Sequence, residues 1–184
     1  MALPDLGRYL WIPGRLAKDP TSFSTVFPHG GTALGDTAGL AIAHRVIQAE
    51  IPAQEFGTWS DSLYCGERWS LAGAFHTWDA DAINTLFPNT SLGAITGERL
   101  IKFSPTAFRA GQLLSSRSVK LIFTPDDPKS VPAIYFRNAA PLVDEAVKYR
   151  LSLADETFFP FVFLALPHDS GNAVEFGFLE DLAV

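Results

Sequence analysis

The chain has very few sulfur-containing residues: one methionine and one cysteine, Cys65, among 184 residues. A single cysteine cannot form a disulfide within the chain, and it cannot supply the several thiolates of a cysteine-rich zinc site. Free cysteine is among the residue types that are most often buried. We therefore expect Cys65 to be a small buried residue rather than a nucleophile.

Charged residues are also scarce. They make up 18% of the sequence, whereas about 25% is typical of soluble domains. The 20 acidic residues outnumber the 14 basic ones, which gives a formal net charge of −6. This excess disfavours a lysine- and arginine-rich surface that clamps nucleic-acid phosphates. Because 47% of the residues are hydrophobic, we expect part of the surface to be buried against another chain.

No apolar run is long enough to predict a membrane span. The most apolar window, Phe158 to Leu166, is far shorter than the roughly 20 residues that a spanning helix needs, and Pro160 interrupts it. The first residues, Met1 to Gly7, lack the basic stretch and apolar run of a signal peptide, so none is expected. A chain of this length predicts a single domain, residues 1–184.

The residues that could carry chemistry do not cluster in the sequence. The four histidines fall in separate segments, without the spacing by which one helix or strand presents two metal ligands. Ser60 and Ser62 lack the glycine-flanked turn of a nucleophile elbow. The turn from Gly30 to Gly35 lacks the lysine of a phosphate-binding loop. We therefore predict no catalytic residue, no metal ligand and no cofactor, and we do not expect an enzyme.

Proline and glycine are frequent in residues 1–35. This region is predicted to be an N-terminal arm or loop, with a short strand from Arg8 to Ile12. The segment from Leu40 to Ile51 has apolar residues on both faces of a strand, so its periodicity alone does not distinguish strand from helix. We favour a strand there because Gly39 and Pro52 flank the segment.

Regular alternation of apolar and polar residues predicts a strand from Glu67 to Thr77. A short helix is expected to follow, with Asp79 as its N-cap and Pro88 just beyond its end. Residues 89–117 are predicted to be mainly a long loop, which is uncommon in compact domains and often functional. Further strands are predicted at residues 99–103, 118–124, 131–136, 147–153, 158–166 and 173–179.

These elements predict a mainly β fold, antiparallel in its C-terminal half, with one short α-helix and long loops. The strand at residues 158–166 is unusual because it is apolar on both faces. A strand tolerates this when one face meets its own core and the other meets a neighbour. The candidate residues of a subunit interface are therefore Phe158, Phe159, Phe161 and Phe163.

A series of short motifs follows in order from Gly30 to Pro88. They are the glycine-rich turn at residues 30–35, the long strand from Leu40, Glu55-Phe-Gly57, Gly66-Glu67, Trp78-Asp79, and Leu86-Phe87-Pro88. In this order and spacing, the region resembles the bacteriophage tail tube proteins. That family is similar to the tube subunits of contractile injection and type VI secretion systems.

The resemblance implies a structural virion protein of the phage tail, made in the host cytoplasm. Such subunits are expected to be an antiparallel β-sandwich or small barrel with one flanking short α-helix. They form hexameric rings that stack into a hollow tube, and DNA passes through the lumen without specific binding. The implied partners are copies of the chain itself and other phage tail or connector proteins, and no cofactor or catalytic residue is implied. An acidic lumen would let DNA slide, because like charges repel. The candidate lumen-facing acidic residues are Asp155, Glu156 and Glu175.

Other functions are compatible with the same sequence. A tail terminator, a tube-initiating ring or a head-tail connector would form single rings instead of filaments. A monomeric β-barrel that binds a small apolar ligand would also explain the 15 phenylalanines. A hydrolase that uses Ser60 or Cys65 has the least support.

Overall fold

The computed structural model describes most of the chain, and its residues form a mainly antiparallel β structure with one α-helix, which confirms the predicted fold class. The described residues are 8–10, 13–52, 59–75, 80–87, 90–92, 101–103, 112–142, 159–168, 171 and 173–184. No helix within these ranges is both long enough and apolar enough to span a membrane.

The strands are numbered in chain order. They are β1 (Arg8–Leu10), β2 (Gly14–Lys18), β3 (Thr32–Pro52), β4 (Trp59–Phe75), β5 (Thr90–Leu92), β6 (Ile101–Phe103), β7 (Val119–Pro125), β8 (Ala133–Pro141), β9 (Phe159–Ala165) and β10 (Val174–Gly177). The helix α1 (Ala80–Leu86) follows β4, and a short 3-10 helix (Leu114–Arg117) precedes β7.

Six of the strands pair in a closed circuit. In order they are β3, β2, β7, β8, β9 and β4, and β4 pairs again with β3. The short strand β1 adds to β3, and β10 adds to β8. Separately, β5 and β6 form a two-stranded sheet. The arrangement is sandwich- or barrel-like, as the sequence predicted.

The interior of the circuit is filled with large apolar side chains. Alternation along each strand turns every second residue inward, as at Leu121 and Phe123 of β7. Helix α1 packs Ile83 and Leu86 against the same cluster. Other members of this inner core, each less than 4% exposed, are Leu16, Leu40, Leu71, Phe75, Phe136, Phe161 and Phe163.

A second, smaller cluster lies on the outer face of the circuit. It contains Ala17, Phe23, Ile122 and Tyr135, and Phe27, Leu179 and Leu182 pack against it. The turn at residues 20–31 and the C-terminal residues 178–184 supply most of this cover. The middle of β7 and the first half of β8 are thus apolar on both faces, and segments of the same chain bury them.

The predicted hairpin at residues 118–124 and 131–136 is confirmed as β7 and β8. The predicted strand at Leu40 to Ile51 is confirmed within β3, and the predicted strand from Glu67 lies within β4, which begins earlier, at Trp59. Within the predicted long loop at residues 89–117, the predicted strand at residues 99–103 is confirmed as β6, whereas β5 was not predicted. The strand predicted at residues 147–153 lies outside the described residues.

The prediction of an N-terminal arm up to residue 35 is partly wrong. Strand β2 and the start of β3 lie inside the sheet, where β2 pairs with both β3 and β7. The glycine that suggested a loop, Gly14, serves close packing instead. A Cβ atom at Gly14 would lie 2.5 Å from the ring of Phe123, so only glycine fits between these strands without a shift.

Candidate functional site

The two longest strands continue together beyond the closed circuit. We call this extension the ribbon and define it as residues 43–52 of β3 and 59–69 of β4. Strand β9 pairs with β4 only from Ser70 onward, and β1 pairs with β3 only up to Ile42. Among the described strands, ribbon residues therefore pair only with each other. At about 3.3 Å per residue, the ribbon extends about 30 Å.

The ribbon exposes large apolar side chains. Their exposed fractions are 43% for Val46, 46% for Ile47, 44% for Ile51, 58% for Leu63 and 61% for Tyr64. An isolated two-stranded hairpin is marginally stable in water, and exposed apolar patches mark interaction surfaces. The ribbon is therefore the strongest candidate for a contact with another molecule.

The two faces of the ribbon differ in chemistry. Ile47, Ile51 and Leu63 share one face with Arg45 and Arg68, and the two arginines are paired directly across the strands. We call this the arginine face. Like charges directly opposite each other destabilise a β ladder. Both arginines are exposed, and neither has an ion-pair partner within the described ranges. The arginine face thus combines apolar surface with two uncompensated positive charges.

The opposite face fixes the base of the ribbon to the body of the fold. His44 stacks on Trp69, and its Nε2 atom lies 2.8 Å from Oε2 of Glu67. The hydrogen bond with His44 holds the pKa of Glu67 below its ordinary value. Trp69 also packs against the inner core and lies near the ring of Phe176 on β10. These contacts set the direction in which the ribbon leaves the circuit.

A β-bulge interrupts the ribbon. The register changes between Ile47 and Gln48, which leaves Cys65 as an extra residue on β4. The neighbouring Gly66 has a φ angle of +125°, which residues other than glycine rarely adopt. Cys65 is exposed, so the prediction that it is buried is wrong. That prediction rested on the usual burial of free cysteine, whereas Cys65 lies on a strand that extends away from the core.

The second exposed apolar region lies at the C-terminus. We call Phe178, Glu180, Asp181 and Val184 the C-terminal patch. Phe178 is 40% exposed and Val184 is 39% exposed, and both carboxylates are exposed. Phe178, Glu180 and Val184 line an open groove of about 880 Å³. The turn at residues 21–24, Pro128 and Lys129 form other parts of its wall.

An ion pair holds this C-terminal segment in place. Nε of Arg137 donates to Oε1 of Glu175 at 2.6 Å, and Nη2 donates to the carbonyl oxygen of Ala183 at 3.0 Å. The guanidinium also lies 5.4 Å from the ring centroid of Tyr135. Arg137 therefore connects β8, β10 and the last residues of the chain.

The structure places two of the four predicted interface residues, Phe161 and Phe163, in the core. Phe161 is 3% exposed and Phe163 is fully buried, so both pack inside the chain itself and are not exposed interface residues. Phe158 lies outside the described residues, and of Phe159 only the backbone, in β9, is described. The opposite face of β9 carries Pro160, Val162 and Leu164, which are partly buried.

Of the three candidate acidic residues, Glu175 is the one whose side chain the structure describes. Glu175 is only 18% exposed and is paired with Arg137, so it is not the open carboxylate that was expected in a lumen. Its position within a short strand was correctly predicted, but the partner on β8 could not be seen in the sequence. Asp155 and Glu156 lie outside the described residues.

Groups that could perform catalysis are dispersed in the described part of the chain. No three histidine, cysteine or acidic side chains lie close enough together there to hold a metal ion. Cys65 lies on the ribbon, and its Sγ atom donates to the carbonyl oxygen of Leu63 at 3.5 Å. His29 is buried, with Nδ1 2.9 Å from the carbonyl oxygen of Thr25 and Nε2 3.0 Å from Oγ1 of Thr124.

Sequence reasoning did not identify the ribbon as a candidate contact surface. The available signal was the segment from Leu40 to Ile51, whose apolar residues occupy both faces of the strand.

A comparison with protein-family models gives no match for this sequence, and a search of curated proteins finds no significant relative.

Proposed function

We propose that this protein is a structural subunit that assembles with its own copies into rings, and that the rings stack into a hollow tube of the phage tail type. The observation that carries the proposal is the ribbon. It extends about 30 Å from a well-packed body. It exposes apolar side chains on both faces, which a single copy of the chain leaves in contact with water.

The energetic argument concerns these exposed side chains. Full burial of a valine, leucine, isoleucine or aromatic side chain contributes about 1.5–3 kcal/mol. The five apolar side chains of the ribbon are each 43–61% exposed, so about half of that contribution is still available to a contact with a neighbour. An assembly of identical subunits would recover it at every copy.

The interior of the circuit favours a structural role over the binding of an apolar ligand inside a barrel. Phe75, Phe123, Phe136 and Phe163 are at most 1% exposed and pack against one another in the inner core. The phenylalanines that could have lined a cavity therefore fill it themselves. The large groove of the chain lies outside the circuit, beside the C-terminal patch.

The tube, the hexameric ring and the passage of DNA come from the resemblance of residues 30–88 to phage tail tube proteins. That stretch contains the ribbon and α1. The net charge of −6 supports the role, because an acidic wall does not retain DNA phosphates.

Sedimentation velocity and negative-stain electron microscopy test the proposal. We expect the parent protein to form filaments at micromolar concentrations, and the double variant Ile47→Asp, Leu63→Asp to remain near 20.0 kDa while keeping the circular dichroism of the parent. A matched control is Val26→Asp, because Val26 is 89% exposed and lies outside the ribbon. Single rings without filaments would indicate a terminator or connector. A parent protein that stays monomeric under all conditions would contradict the proposal.

A further inference from the structure

The charge on the arginine face specifies what a partner must supply. Arg45 and Arg68 face each other across the ribbon, Ile47 is the next residue of β3 on the same face, and Leu63 follows beyond the bulge, opposite Ala49. A partner that neutralises the arginine pair and covers its apolar neighbours must present carboxylates next to apolar side chains. Exposed carboxylates that lie next to exposed apolar side chains can therefore be sought on the surface of the chain itself.

Only some exposed carboxylates of the described residues meet this requirement. Asp19 accepts a hydrogen bond from the backbone N–H of Lys120 on β7, and Asp127 accepts one from that of Lys129, so both carboxylates are already engaged within their own chain. Glu67 is paired with His44. In the C-terminal patch, Glu180 and Asp181 are exposed, and they lie within four residues of the exposed Phe178 and Val184.

We propose that the arginine face of one copy docks on the C-terminal patch of the next copy. Arg45 and Arg68 would pair with Glu180 and Asp181, while Ile47 and Leu63 would cover Phe178 and the edge of the adjacent groove. The inference rests on the proposed self-assembly and specifies its interface. When each copy docks on the next in turn, and not reciprocally on the same partner, the contact is heterologous and generates rings or filaments.

A second type of partner for paired arginines is nucleic acid. The charge of the ribbon argues against it, because its sequence contains Arg45 and Arg68 but also Glu50, Asp61 and Glu67. Affinity for phosphates depends on the number of uncompensated basic contacts, and this ribbon provides few. A second copy of the chain is therefore the partner that its chemistry fits.

Charge reversal on each surface tests the pairing. The ribbon variant is Arg45→Glu, Arg68→Glu, and the patch variant is Glu180→Arg, Asp181→Arg. Both change exposed positions, and circular dichroism checks that each variant folds. If the ribbon variant does not fold, the single reversals Arg68→Glu and Glu180→Arg replace the pair. We expect each variant alone to need at least about a tenfold higher concentration to assemble, because like charges then meet at every contact.

Mixing the two variants is the decisive step. An acidic ribbon then meets a basic patch, and a basic ribbon meets an acidic patch, so we expect the equimolar mixture to assemble near the concentration of the parent. If the parent assembles but the variants assemble equally well, or if mixing does not restore assembly, the docking inference is wrong and the proposed function stands. If the parent binds duplex DNA and only the ribbon variant loses that binding without a change in assembly, the arginine pair serves DNA, which also overturns the inference. A monomeric parent would instead refute the proposed function.

Discussion

The imidazole of His44 lies parallel to the indole of Trp69, with ring centroids 4.0 Å apart and an angle of 16° between the planes. The two residues are paired directly across β3 and β4, at the point where the ribbon leaves the closed circuit. Glu67 completes this group by pairing with His44. The direction of the ribbon therefore depends on a small polar and aromatic cluster as well as on the backbone ladder.

The first prediction concerns the carboxyl group of Glu67. Because the hydrogen bond with His44 lowers the pKa of Glu67, its contribution to stability is present above the ordinary value of 4.5 and is lost as the pH falls through the lower folded value. In His44→Ala, we expect the pKa of Glu67 to rise toward 4.5, measured by NMR titration of the side-chain carboxyl. His168→Ala serves as the control. An unchanged titration curve would show that the pair does not persist in solution.

The second prediction concerns the ion pair of Arg137 and Glu175. Both side chains are less than a fifth exposed, at 16% and 18%, so solvent screens them only in part. We expect Glu175→Gln to lower the free energy of unfolding by about 1–3 kcal/mol, as for other hydrogen bonds to charged groups. Denaturation in urea under conditions without assembly measures this change. The control Asp36→Asn, at an exposed position, is expected to change stability by no more than about 0.5 kcal/mol.

The third prediction separates the two faces of β9. Phe163 is fully buried in the inner core, so we expect Phe163→Ala to cost about 3–5 kcal/mol of folding free energy. Leu164 is on the opposite face and only partly buried, so Leu164→Ala is expected to cost about 1 kcal/mol. Equal effects of the two substitutions on urea denaturation would contradict the described orientation of the strand.

The same strand shows what sequence periodicity can and cannot predict. Alternation located β9 correctly, but a period of two only states which residues share a face, not which face points inward. The apolar residues on both faces suggested an intersubunit contact through Phe161 and Phe163. In the fold, both point into the inner core, because the pairing of β9 with β4 and β8 sets its orientation.

Strand formation at β2 and at the start of β4 could not be predicted for a related reason. Gly14 to Lys18 follows a proline and contains few strong strand formers, yet β2 lies between β3 and β7 and pairs with both. Residues 59–66 contain serine, aspartate and glycine, which are rare in strands, and β3 provides their ladder. In both cases, long-range pairing overrides local propensity. The ribbon was not predicted as a separate feature because it is defined by where the neighbouring strands stop pairing with β3 and β4. Local sequence does not specify that point.

The fourth prediction concerns acid stability and His29. Burial lowers the pKa of this imidazole, so the folded protein takes up the proton less readily than the unfolded chain does. Stability is therefore expected to decrease as the pH falls below the ordinary value of 6.5. We expect His29→Gln to flatten this decrease between pH 7 and pH 5, measured by urea denaturation. A parent protein whose stability is constant across this range would contradict the prediction.

The fifth prediction uses the single cysteine as a probe of the ribbon. Cys65 is exposed on the bulge, so a maleimide reagent is expected to label it rapidly in dissociated subunits. Docking of the arginine face would bring a neighbouring subunit close to the thiol, and we expect labelling of the assembled protein to be at least about tenfold slower. The double variant Leu113→Cys, Cys65→Ser provides the control, because Leu113 is 75% exposed and belongs neither to the ribbon nor to the C-terminal patch and its groove. A thiol there should react equally fast in both states. If Cys65 is labelled at the same rate before and after assembly, the subunits are held together by a surface other than the ribbon.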